Sequence, residues 1–143
     1  MAENKKQAAN LIAWMEDLFA KVPNLPKGGR DVLVAIAPWL ALIFGILGII
    51  GGIGALGLSP LAMLGGLNTS FMILVAGVGG IISSILMLIA YPKLRKKQYK
   101  GWEWLFWSEV VGTVASVLSL SIMSIIFVLV GFYLLFQIKS YYK

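Results

Sequence analysis

The sequence predicts an all-α integral membrane protein: a four-transmembrane-helix bundle made of two helical hairpins, preceded by an amphipathic helix in the membrane interface. Three observations predict it. The 143 residues are 59% hydrophobic and 13% charged, with a mean hydropathy of +0.89, whereas soluble domains are about 45–50% apolar and about 25% charged. No formal charge interrupts the 61 residues between Asp31 and Lys93 or the 29 between Glu109 and Lys139. A helix crossing the hydrocarbon needs only about 20 apolar residues. Finally, the 12 Lys and Arg fall in three segments: before Asp31, from Lys93 to Lys100, and in the tail at Lys139 and Lys143. Basic residues gather on the cytoplasmic side. Four spans place all three segments and both termini there, whereas three spans would leave the tail alone outside.

Residues 1–30 form the first unit. From Asn4 to Val22, Leu11, Ile12, Met15, Leu18, Phe19 and Val22 recur on one helical face, while Lys5, Lys6, Gln7, Asn10, Asp17 and Lys21 take the other. Glu16 and Asp17 interrupt the place where a signal peptide keeps its apolar core. This helix either lies in the interface, which suits Trp14, or packs on the cytoplasmic ends of the spans. Pro23-Asn24-Leu25-Pro26-Lys27-Gly28-Gly29 is expected to act as a hinge, with Asp31 as the N-cap of the next helix.

Residues 31–143 form the second unit, the membrane domain. Its first span is expected at 33–56, with Pro38 near its cytoplasmic end. A break follows within 57–70, where Ser59-Pro60 resembles a helix start and Gly65-Gly66-Leu67-Asn68 is rich in turn residues. The second span, 71–91, is expected to stop at Pro92. The 37 residues from Trp102 to Ile138 would measure about 55 Å as one helix, against a core of about 30 Å. Two short spans, 102–118 and 121–139, fit better, although their turn carries serines and neither Gly nor Pro.

The composition excludes several function classes. Cysteine and histidine are absent, so disulfides, thiolate nucleophiles, haem ligands and ordinary zinc sites cannot form, and neither a cofactor nor a metal nor an enzyme activity is expected. The net charge of +6 points to anionic lipid rather than nucleic acid in a chain this apolar. Lys93, Arg95, Lys96, Lys97 and Lys100 anchor the topology and can hold anionic headgroups. Gly77, Gly79 and Gly80 lie inside a span with no P-loop lysine after them, so they form no phosphate cradle.

Small residues at four-residue spacing allow close helix approach. Gly48 with Gly52, Ala76 with Gly80 and Ser84, Gly79 with Ser83, and Ser108 with Gly112 and Ser116 follow that spacing. Gly48, Gly52, Gly80 and Gly112 are the expected packing positions, within the bundle or against a copy or another membrane protein. Glu109 lies about 10 Å along its helix from Trp102, below an aromatic belt of Trp102, Trp104 and Trp107. A carboxyl at that depth is costly and marks a paired or functional group. An antiparallel hairpin would bring it opposite Phe132 and Tyr133. Glu109, Thr113, Ser116 and Tyr133 are therefore the candidate polar site, with the Tyr133 hydroxyl donating to the carboxylate. Glu109 is then a structural carboxyl, a partner of Arg95 or a nearby lysine, or a group that handles protons or cations.

The basic loop, the Trp-rich entry at Trp102 and the Tyr-Tyr-Lys tail resemble small bacterial membrane proteins in a general way. That resemblance implies no particular activity; the expected location is a prokaryotic inner membrane. The residues themselves lead to an expected structural or accessory membrane protein that associates with itself or a partner, the alternative being a minimal transporter or channel subunit using Glu109.

Overall fold

The computed structural model describes residues 2–120 and 122–143. Met1 and Ser121, the expected first residue of the fourth span, lie outside them. All regular structure among the described residues is helical, with no strand. α1 (Ala2–Ala20) is followed by α2 (Lys27–Ala62), a 3₁₀ turn (Met63–Gly65), α3 (Leu67–Arg95), α4 (Tyr99–Leu118) and α5 (Ile122–Ile138), then a 3₁₀ turn (Lys139–Tyr141). Three stretches are long and apolar enough to cross a membrane: Lys27–Gly65, Leu67–Arg95 and Ile122–Tyr141. α4, which carries Lys100, Glu103 and Glu109, is not among them.

The boundaries differ from the expected ones in ways the backbone explains. The hinge is shorter than 23–29, because Pro26 (φ −54°, ψ 150°) supplies the N-cap and Gly28 and Gly29 are already helical. Asp31 is therefore no cap; its carboxylate accepts a hydrogen bond from Tyr141 Oη at 2.7 Å. At the far end α2 runs through Ser59-Pro60 instead of breaking there. Pro60 has no N–H to offer the Leu56 carbonyl, and the Ser59 hydroxyl donates to that oxygen instead, at 2.7 Å. The Ser70 hydroxyl then donates to the Ser59 carbonyl at 2.9 Å, tying α3 to α2 at the turn. The reversal falls on Gly66, at φ 102°, a left-handed conformation natural to glycine.

Pro92 does not stop α3, which continues to Arg95. The stop is a Schellman arrangement: Gln98 N–H donates to Lys93 O and Lys97 N–H to Leu94 O, both at 3.0 Å, with Lys97 at φ 52° in the position glycine usually takes. α4 ends similarly without glycine. Leu120 takes φ 52°, and the Ser116 and Ser119 hydroxyls cover the carbonyls of Gly112 and Ser116.

Instead of two separate hairpins, α3 packs along both α2 and α4, while α5 covers α4 more loosely and meets α2 only sparsely. Successive helices from α2 to α5 reverse direction. The start of α2, the end of α3, the start of α4 and the end of α5 thus share one end, which carries the charges. There the backbone of Lys143 pairs with Lys97 and Tyr99. The core sits at this end too: Trp102 and Phe106 are fully buried and stack at 5.6 Å, and Trp102 Nε1 donates to Leu135 O at 2.9 Å. Trp102 is therefore a core residue and not part of an aromatic belt.

α1 packs against α5, and the apolar residues from Trp14 to Val22 line a groove with Val117 of α4 and Ile125 of α5. Ile12 is buried, Phe19 stacks on Phe136 at 5.4 Å, and Glu16 pairs with Lys139. Leu11, Trp14 and Leu18 stay partly exposed.

Candidate functional site

Glu109 occupies the middle of α4, and its direction follows from how α4 is held. On one side the Ser83 hydroxyl meets Ser108 O and Ser108 Oγ, each at 3.0 Å. About two turns further along α4, Gly79 lets Ala115 approach so closely that a Cβ on Gly79 would lie 2.6 Å from the Ala115 methyl. With that face locked to α3, the Glu109 side chain turns toward the gap between α2 and α5.

Gly131 makes room for it. A Cβ there would stand 2.9 Å from both carboxylate oxygens. Two cavities meet at this point, and Phe44, Met87 and Glu109 line both. One, of about 210 Å³, runs toward the charged end between Ala37, Ala41 and Leu134. The other, of about 450 Å³, runs toward the apolar end past Gly80, Ser84, Ser116 and Phe127. Glu109 is the only titratable residue lining either cavity among the described residues. No side chain among them hydrogen-bonds to its carboxylate or pairs with it.

The expected polar site is therefore rearranged. The Tyr133 hydroxyl donates to Pro23 O at 2.6 Å and not to Glu109. Together with Gln137, which accepts from Leu25 N–H at 3.0 Å, it holds the α1–α2 connection. Thr113 and Ser116 direct their hydroxyl protons at the Glu109 and Gly112 carbonyls of their own helix. Hydroxyls in an apolar surround find the nearest free lone pair, and the i−4 carbonyl is always within reach. Arg95 does not pair with Glu109 either; its guanidinium lies over Trp39 and Tyr91 at 5.8 and 5.9 Å.

The packing glycines divide by face. Gly48 lies against Ser84, and Gly52 against Ile81 and the Gly77 carbonyl. A Cβ on Gly80 or Gly112 would meet nothing within 4 Å, because both line the larger cavity instead of a helix contact. Gly79, four residues before Ser83, is a close approach that small-residue spacing did mark, whereas Gly77, Gly101 and Gly131 are close approaches that it did not single out. Of these three, Gly131 alone left a trace in the sequence, as the one glycine after Gly112.

The basic cluster divides as well. Lys93 lies over the Trp104 ring at 5.3 Å, while Lys96, Lys97 and Lys100 are exposed. Lys100 approaches Glu103 at 3.9 Å, a loose surface pair. Comparison with models of known families, with curated proteins and with solved structures gives no match for this chain.

Proposed function

We propose that the chain is a four-span integral membrane protein, with α2 to α5 crossing the bilayer and both termini on the cytoplasmic side, and that it takes up a proton or other cation at Glu109. It acts in this reading as a minimal transporter or channel subunit. α4 counts as a span because Glu109 is its only charge beyond Glu103 and because it is packed between α3 and α5. In hydrocarbon every peptide group must bond within the chain, which also accounts for helices running unbroken through Pro38, Pro60 and Pro92. Lys96, Lys97 and Lys100 then face anionic headgroups, each worth about 1 kcal/mol near such a surface.

One observation carries the proposal: Glu109 stands unpartnered where two cavities join, in the gap between α2 and α5. A carboxyl that served packing alone would be closed off among hydrogen-bond donors. An intramembrane ionisable group turned toward open space is instead the usual mark of an ion or proton path. The test is flux into liposomes containing the purified protein. Proton or organic-cation flux above protein-free liposomes is expected, falling at least tenfold in Glu109→Gln at equal incorporation. Absence of flux in the native protein would remove the reading.

A second reading, an accessory protein that associates with a copy of itself or another membrane protein, is favoured by Gly51, Gly54 and Gly57. They lie on the exposed side of α2, and a Cβ on any of them would meet nothing within 4 Å, leaving a flat strip for a second helix. Gly54→Leu should weaken such association in detergent cross-linking and leave flux unaltered.

A further inference from the structure

We infer that the joined cavities at Glu109 bind a small amphipathic organic cation, with its ammonium against the Glu109 carboxylate and its apolar body toward Phe44 and Phe127. The inference rests on the membrane placement and the Glu109 role proposed above, and it names the ligand class. The cavity walls decide against a bare inorganic ion. Such an ion requires several oxygen ligands in place of its water, and the cavities supply one carboxylate. Beside it stand only neutral hydroxyls, those of Ser83, Ser84 and Ser116, whose protons are directed to Ser108, Gly80 and Gly112.

An organic ammonium differs on both counts. It is weakly hydrated, so entering an apolar space costs it far less, and its hydrocarbon part gains by filling that space. The larger cavity, at about 450 Å³, falls in the range of small-molecule sites, which combine apolar walls with a few placed polar groups. Phe44 and Phe127, both largely exposed, stand where aromatic faces can also attract a cation. The sparse contact between α2 and α5 leaves the opening on the lipid side, where amphipathic cations concentrate.

No titratable or charged side chain among the described residues faces Glu109 across these cavities from α2, α3 or α5. Its carboxylate is thus the sole source of charge selectivity, and the predicted discrimination is all or none. The experiment is equilibrium dialysis of labelled benzyltrimethylammonium against the full chain in nanodiscs of zwitterionic lipid, with neopentylbenzene as the neutral molecule of the same shape.

Saturable binding of the ammonium is expected, at least tenfold weaker in Glu109→Gln, whereas uptake of the neutral molecule changes less than twofold. Gly80→Leu provides an independent arm. A Cβ there meets nothing within 4 Å, so the leucine fills the cavity without touching the carboxylate and should also weaken binding at least tenfold. No saturable binding to the native chain, or binding within twofold of native in Glu109→Gln, overturns the inference. Glu109-dependent proton flux without ammonium binding would leave the transport proposal standing and remove this one. Glu109-dependent binding without any flux would do the reverse.

Discussion

The Glu109 carboxylate and the Gly131 backbone face each other across the α4–α5 seam so closely that a methyl carbon on Gly131 would stand 2.9 Å from both oxygens. Glycine at 131 therefore sets where the one unpartnered charge of the cavities sits. Gly131→Ala should displace the carboxylate, the far end of a flexible side chain, and leave the helices where they are. Stability is expected to stay within about 1 kcal/mol, since alanine also favours a helix over glycine by about that amount. Flux and cation binding should fall severalfold. Thermal unfolding in detergent, run beside the liposome assay, checks both.

Adjacent glycines of α2 should respond in opposite ways. A Cβ on Gly52 would stand 2.5 Å from Ile81 Cγ1 and 2.9 Å from the Gly77 carbonyl, and backbone cannot step aside. Gly52→Ala is expected to cost about 1–3 kcal/mol by overpacking. Gly51→Ala meets open space and should be neutral or slightly stabilising. Unfolding in mixed micelles with increasing dodecyl sulfate measures the difference.

Ser59 and Pro60 should be energetically coupled. The Ser59 hydroxyl serves the Leu56 carbonyl, to which Pro60 has no N–H to give. Ser59→Ala should cost about 1–2 kcal/mol, the penalty of an acceptor left without a donor. In a Pro60→Ala background, where residue 60 regains its N–H, that cost should shrink by about 1 kcal/mol. A double-mutant cycle reads the coupling directly.

Tyr142 gives a pH signature at the charged end. Its side chain is buried, its hydroxyl has no partner among the described residues, and burial pushes the phenol up to about 12. The folded state thus holds this proton more tightly than the unfolded chain, in which the phenol titrates near 10. The contribution to stability is complete below pH 10 and is lost as pH rises toward 12. Tyr142→Phe should abolish that loss and, by removing an unpaired buried hydroxyl, raise stability at neutral pH by about 1 kcal/mol. Unfolding followed from pH 8 to 12 tests both statements.

Four spans require both ends of the chain on one side. Reporters fused to the N- and C-termini should both be active in the cytoplasm, and an external C-terminal reporter would replace four crossings with three.

Much of the helical plan was legible because it depends on coarse quantities. Charge-free length placed α2, α3 and α5, and the excess of the last tract over one crossing placed the reversal near Leu120, even without glycine or proline. The prolines misled because in water they end helices, whereas here a neighbouring hydroxyl repairs the missing bond at Pro60. Glu109 stood out as the one carboxyl deep in an apolar tract. Its partners did not: an antiparallel estimate that placed Phe132 and Tyr133 opposite was off by one or two residues. On a helix that rotation is enough to exchange a hydroxyl for the bare backbone of Gly131.

The amino-acid order by itself determined that the chain is helical and apolar over long tracts, that its cations collect at one end, and that Glu109 is costly where it stands. These follow from sums over many residues, which tolerate errors of register. Only the tertiary structure decided which glycines meet a neighbour, that Trp102 is core, that Tyr133 serves the α1–α2 connection, and that Glu109 opens onto a cavity. Each of those depends on the rotation of one helix against another, which is set by side chains interlocking at contact distance and leaves no periodic trace in the sequence.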